Sequence, residues 1–274
     1  MLIDTHAHLD YEVFAPDFDA VLERAREAGV ERVISIGTGW ESSQRAVRLA
    51  EEHPEVFATV GIHPNQVEEE PSDSIERLRE LAQHPRVVAI GEIGLDYFRL
   101  PGGPDCDDAD ALPNEKRQRR EEIITRQKEV FEALLGVAEE SGLNVVIHQR
   151  SSWMDTAATL RRWAGRVRGV LHCFGGTAAE ARAMLEWGHL VSFTGIATFK
   201  NGQNMRETAQ ALQPGEFMVE TDCPYLAPEP HRGTRCEPWH TRLVAERLAA
   251  ERNESLAELA AHTTATAESF FRFS

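Results

Sequence analysis

Residues 2–10 read LIDTHAHLD, a short apolar start that closes on two histidines one residue apart, with Asp4 and Asp10 on either side. Side chains of a strand alternate between its two faces, so a strand over 2–5 sends His6 and His8 one way and Thr5 and Ala7 the other. Two imidazoles on one face make a clamp. Taken alone, an H-x-H pair equally suits a polar strand end that binds nothing. What decides between the two readings is whether other strands end in the same kind of residue, and whether the fold brings those ends together.

The pattern that begins at Leu2 repeats along all 274 residues: a β-branched apolar run, then an amphipathic stretch. Strands are expected at 2–5, 32–36, 56–60, 87–90, 143–148, 169–171, 190–193 and 217–220. Between them, segments such as APDFDAVLERAREAG (15–29), ESSQRAVRLAEEH (41–53), TAAEARAMLEWG (177–188) and EPWHTRLVAERLAAE (237–251) have helical periodicity, and several close on glycine. Eight strand–helix repeats in this length predict an α/β fold, a single (β/α)8 TIM barrel spanning 1–274. No Gly/Ser- or Pro-rich linker divides the repeats. The clearest interruption is RLPGGPDCDDADALPNEKRQRREE, Arg99 to Glu122, expected to be a long inserted loop whose acidic residues give way to basic ones.

Composition narrows the function. A formal charge of −16 argues against a broad basic surface for nucleic acid, although bound divalent cations reverse the potential locally. No apolar run approaches the roughly 20 residues of a membrane span, and Leu2 enters the first strand without a basic-then-apolar leader. Cys106, Cys173, Cys223 and Cys236 contain no C-x-x-C pair and are too sparse for a disulfide framework. A soluble cytoplasmic protein with no membrane contact and no obligate protein partner is the expectation.

In a barrel the C-terminal ends of all strands face one pocket. Here the first strand ends in His6 and His8, the third in GIHP with His63, and the fourth in GEIGLDY with Glu92 and Asp96. The fifth ends in VIHQR with His148 and Arg150, the sixth in LHCFGG with His172, and the eighth in VETDCPYLAP with Glu220 and Asp222. Imidazole and carboxylate without thiolate suit Mg²⁺, Mn²⁺ or Zn²⁺. Two divalent ions fit this set better than one. His6, His8, Glu92 and Asp222 would enclose the first, and Glu92 would bridge to a second held by His148 and His172, about 3.5 to 4 Å away.

The motifs DTHAHLD, GEIGLDYF, VIHQR, LHCFGG, FTGIATFK and ETDCPYLAP, in this order, resemble those of the TatD family of metal-dependent hydrolases, within the amidohydrolase-like barrel superfamily. The resemblance runs from about residue 1 to residue 270. It implies a TIM barrel with a divalent metal centre and an activity described as deoxyribonuclease, often a 3′ to 5′ exonuclease. By position it implies His6, His8, Glu92, His148, His172 and Asp222 as metal ligands, the same set that the strand ends suggest. Three departures stand out. HRGTRCEP carries Thr234 and Cys236 where the family often has Lys and Asn; Asn65 stands where a second histidine often follows the proline of GIHP; and the 99–122 insert is enlarged.

The chemistry expected of such a site is hydrolysis of a phosphodiester, in DNA or a small diester, with water activated by the metals and charge neutralised at phosphorus. Asp222 is the expected general base, and Glu92 shares the catalytic role as bridge. His63, Arg150, His231, Arg232 and Arg235 are candidate phosphate partners, since guanidinium forks match phosphate oxygens. Tyr97, Phe98 and Tyr225 are candidates for stacking on a base. The alternative is a Zn²⁺ amidohydrolase or lactonase that attacks a carbonyl. Glu92, at a position where many carbonyl-attacking relatives use a carbamylated lysine, argues against it.

Overall fold

The computed structural model describes residues 1–103 and 112–273. Eight strands run parallel in sequence order: β1 Leu2–Ala7, β2 Val30–Ser35, β3 Val56–Val60, β4 Val87–Asp96, β5 Asn144–Arg150, β6 Gly169–Leu171, β7 Leu190–Phe193 and β8 Phe217–Val219. The sheet closes on itself where Ala7 bridges Cys223 in parallel, with His8 N–H donating to the Cys223 carbonyl at 2.8 Å. Helices follow the strands: α1 Phe18–Glu27, α2 Trp40–Glu52, α3 Ser74–Leu81, α4 Asn114–Ser141, α5 Trp153–Arg162, α6 Ala178–Glu186, α7 Gln203–Ala211 and α8 Thr241–Arg252. A ninth, α9 Leu256–Phe271, completes the chain. This is the (β/α)8 barrel expected from the strand–helix repeats.

The strands are buried on both faces, as parallel strands covered by helices must be. Val33, Val56, Val60, Val145 and Val191 belong to the core that also takes in Val21, Leu22, Val130, Leu134 and Val244 from the surrounding helices. A second apolar cluster joins Ile3, Ile34, Phe57, Val146 and Met218 to Phe270 and Phe271 of α9. Thr264 of α9 bonds the Met1 carbonyl, and Asn144 at the start of β5 bonds the Phe270 carbonyl, so α9 covers the N-terminal ends of the strands. The C-terminal ends are left open for chemistry. Capping boxes fix the starts of α6 (Thr177 with Glu180) and α9 (Ser255 with Glu258), satisfying N–H groups that a first turn leaves free.

Two expectations need correction. β4 does not stop at Ile90 but continues to Asp96, pairing Gly94 with His148 and Asp96 with Arg150 of β5. And the stretch from Arg99 to Glu122 is not a loop throughout, because α4 begins at Asn114, just after Pro113, and absorbs its basic part, Lys116–Arg120, into the start of the helix. Pro113 is the N-cap, its ψ of 139° still extended, and the helix begins at the next residue. The acidic part of the stretch, with Cys106, lies in 104–111, outside the described residues.

Candidate metal centre

β1 delivers His6, β4 delivers Glu92 and β5 delivers His148, while His8 comes directly after β1, His172 directly after β6 and Asp222 shortly after β8. The backbone sets these positions: Glu92 N–H donates to the Gly37 carbonyl at 2.8 Å and Asp222 N–H to the His6 carbonyl at 2.8 Å. Glu92 lies at the centre, 2 % exposed. Its Oε2 is 3.5 Å from His6 Nε2 and 3.9 Å from His8 Nε2; its Oε1 is 2.7 Å from His148 Nδ1 and 2.8 Å from His172 Nε2. Asp222 Oδ1 joins the first side, 3.6 Å from His6 Nε2 and 3.3 Å from His8 Nε2. One carboxylate thus divides the donors into two groups, His6–His8–Asp222 and His148–His172, each close enough to share an ion.

The donors fit divalent cations. His6 Nε2, buried 3.5 Å from Glu92 Oε2 and 3.6 Å from Asp222 Oδ1, has no hydrogen-bond partner. Buried polar atoms are normally satisfied, and an orphaned nitrogen facing two carboxylates calls for a ligand. On the other side of Glu92, His148 Nδ1 lies 3.1 Å from His172 Nε2 and 3.3 Å from His63 Nε2, so three ring nitrogens converge on one carboxylate oxygen. A cation satisfies several lone pairs at once where a single proton cannot.

Electrostatics favours charged carboxylates here. Burial pushes Glu92 upward, but the imidazoles of His172 and His63 and the hydrogen bonds from His148 and His172 outweigh it and hold its carboxyl well below the usual range. Asp222 is lowered in the same way, burial being overcome by His8, His6 and His172. Burial lowers His63 to about 3.

A second layer holds the ring orientations. Glu220, buried beneath His172, has Oε1 3.6 Å from its Nδ1 and accepts bonds from Cys173 N–H at 2.6 Å and Ser192 Oγ at 2.5 Å. Asp96 places Oδ2 3.3 Å from His148 Nε2 and takes a bond from Asn65 Nδ2 at 2.9 Å. Asp4 accepts from the N–H groups of His6 and Thr221 and from the Thr221 hydroxyl, tying β1 to the turn that carries Asp222. Such partners orient metal-binding imidazoles and tune their basicity. The strand ends offered a signal for both: Asp96 lies on the same strand as Glu92, and Glu220 follows β8 directly, two residues before Asp222.

The centre opens into a cavity of about 690 Å³ lined by His8, His63, Asp96, Arg150, Ile196 and Tyr225, among others. Of the candidate phosphate partners, His63 and Arg150 line this cavity, and the Arg150 guanidinium lies 3.6 Å above the Phe98 ring. The other three, all in the loop after β8, do not. His231 packs against Trp239 and His240, Arg232 covers the Phe199 ring at 3.8 Å, and Arg235 is engaged by Asp17 and Glu237 at 2.8 and 2.7 Å.

The model of the TatD related DNase family matches residues 3–272. The chain belongs to the TatD family. It is 35 % identical over 273 residues to the metal-dependent hydrolase YabD of Bacillus subtilis, covering 99 % of both chains. It is 33 % identical to the 3′-5′ ssDNA/RNA exonuclease TatD of Erwinia tasmaniensis, covering 98 % of this chain and 99 % of the other. The crystal structure of the Escherichia coli TatD homologue YjjV superposes with a TM-score of 0.85 at 27 % identity, over 99 % of this chain and 98 % of that one. This TatD-family chain is a hydrolytic enzyme of the metal-dependent kind, and the family supports the phosphodiester reading over the carbonyl-directed one. Among the described residues no helix is long and apolar enough to cross a membrane.

Proposed function

We propose that the enzyme hydrolyses phosphodiester bonds of single-stranded nucleic acid from the 3′ end, with two divalent ions (Mg²⁺, Mn²⁺ or Zn²⁺) in the centre. The observation that carries this reading is the division of Glu92, one oxygen facing His6 and His8 and the other His148 and His172. His6, His8 and Asp222 would hold one ion, His148 and His172 the other, with Glu92 between. When bound, the ions supply a more acidic water and neutralise charge that builds on the phosphoryl and leaving oxygens.

The side chains do the rest. Asp222 turns Oδ1 toward His6 and His8, which leaves Oδ2 to take the proton of the attacking water as general base. His63 and Arg150, on the cavity wall, hold the phosphate in line for attack. Glu220 and Asp96 keep the His172 and His148 rings from turning. The exonuclease name of the Erwinia relative supports nucleic acid as substrate and the 3′ end as the point of attack.

The test is a substrate panel with metal-stripped protein and each cation added back: 5′-labelled single-stranded DNA and RNA, a bis(p-nitrophenyl) phosphate dye, a lactone and an N-acyl amino acid. Stepwise shortening of the labelled strands is expected, together with elemental analysis giving two ions per chain. Turnover of the lactone or amide without any of the phosphodiesters would overturn the reading.

A further inference from the structure

We infer a second nucleotide subsite beside the catalytic cavity, in the concavity between the loop after β1 and the loop after β8, which takes the base next to the scissile bond on the retained strand. The inference rests on the nuclease reading above. The concavity measures about 680 Å³, within the range of about 300 to 1,000 Å³ common for organic ligands, and Tyr11, Val13 and Pro224 give it apolar walls. Tyr11 lines this concavity and the catalytic cavity alike, so one ring borders both. That ring stacks on His8 of the metal centre, centroids 5.0 Å apart, and meets Tyr225 edge-on at 6.2 Å.

Exposure points the same way. Among the described residues five large apolar side chains are exposed, and two of them line these openings: Val13 at 45 % and Tyr225 at 52 %. The Tyr11 and Tyr225 rings at these openings, on a chain of charge −16, carry the argument, because ring faces bind single-stranded bases irrespective of sequence. The charges favour a base over a phosphate. Arg45 is bonded to Asp10 at 3.0 Å and Arg235 to Asp17 and Glu237, while Glu12 adds a further negative charge to the wall. Arg235 then serves as a wall of the subsite, its guanidinium committed to carboxylates. An enzyme that cuts between two nucleotides must hold one on each side of the phosphate. His63 and Arg150 bound one side of the centre, and Tyr11 opens the other.

Two measurements test this. The first compares Val13→Glu with wild type on a single-stranded hexanucleotide and on bis(p-nitrophenyl) phosphate, Val13 being exposed enough to tolerate the change. The ratio of kcat/KM between oligonucleotide and dye should fall about 10-fold, through KM for the oligonucleotide. The second gives wild-type enzyme the same hexanucleotide with an abasic penultimate position. A loss of similar size is expected, and Val13→Glu should add little to it. An unchanged ratio in the variant, or equal KM for intact and abasic strands, overturns the subsite. If wild type cleaves the dye and no oligonucleotide, the nuclease reading itself fails.

Discussion

At the residue scale, roles within the centre separate by what a side chain offers beyond a lone pair. Asp222→Asn keeps the shape and one oxygen donor but cannot take a proton, so kcat should fall at least about 100-fold, within the roughly 10² to 10⁴ of general base catalysis, with most of the bound metal retained. His148→Ala removes a donor from one side of Glu92, and its defect should be relieved in part by millimolar Mn²⁺. Activity titrated against Mn²⁺, with metal content measured in parallel, tells the two apart; equal rescue would make Asp222 a ligand only. Glu220→Gln touches neither half directly. It removes the carboxylate charge beside His172 Nδ1 while leaving an acceptor for Cys173 N–H, and should weaken metal affinity by about 10- to 100-fold. A change in Tm without a change in the metal titration would reduce Glu220 to a packing role. The six candidate ligands were legible in the sequence because a strand's period and a barrel's common rim together place them, whatever their distance along the chain. His231, Arg232 and Arg235 were not, because a loop has no period: nothing in HRGTR says that Phe199, Asp17 and Glu237 already occupy its arginines.

At the scale of elements, the strands that form short, fully buried runs were read to within a residue or two, as β3, β6 and β7 show. The exception is β4, and its reason is steric. GEIGLD reads as a break because glycine is poor in strands, yet here glycine is what the pairing needs. A Cβ on Gly94 would overlap the His148 carbonyl oxygen, and one on Gly91 would press into Val146, both on β5. Close approach of a neighbouring backbone is a standing reason for glycine within a strand. The start of α4 was hidden for the opposite reason: NEKRQRREE is charged on every face, so no apolar stripe marks it until Gln127, Val130 and Phe131 turn inward. Gln127 gives that helix a function beyond cover. Its Oε1 accepts from Asp96 N–H at 3.0 Å and its Nε2 donates to the Asp96 carbonyl at 3.1 Å, pinning the end of β4 to α4. Gln127→Leu should therefore cost about 1 to 3 kcal/mol, the penalty for stranding a buried donor and acceptor. It should also lower activity by loosening Asp96 against His148. Urea denaturation and a metal titration check both; an unchanged midpoint would show that the strand end is held by its ladder alone.

At the scale of the whole molecule, the question is what the metal centre contributes to the barrel that carries it. The ligands sit on five different strands or the turns just beyond them, so the sites exist only when the barrel is closed, and binding must stabilise the folded state. The fold does not depend on it, however. The two apolar clusters run through every strand and most helices, a core far larger than that of the small domains that unfold without metal. Saturation at a hundred times Kd is worth about 2.7 kcal/mol per ion, about 5.4 kcal/mol for two, and for a chain of this size each kcal/mol moves Tm by about 2 to 4 °C. Exhaustive EDTA treatment is thus expected to abolish hydrolysis, to leave the far-ultraviolet circular dichroism spectrum nearly unchanged, and to lower Tm by roughly 10 to 20 °C, all reversed when cation is restored. Collapse of the spectrum on chelation would mean that the crowded carboxylates and imidazoles cannot be borne without cations and that the metals are structural. Full activity in protein shown by elemental analysis to be metal-free would remove the cations from the reaction, leaving Asp222 and Glu92 to account for catalysis alone.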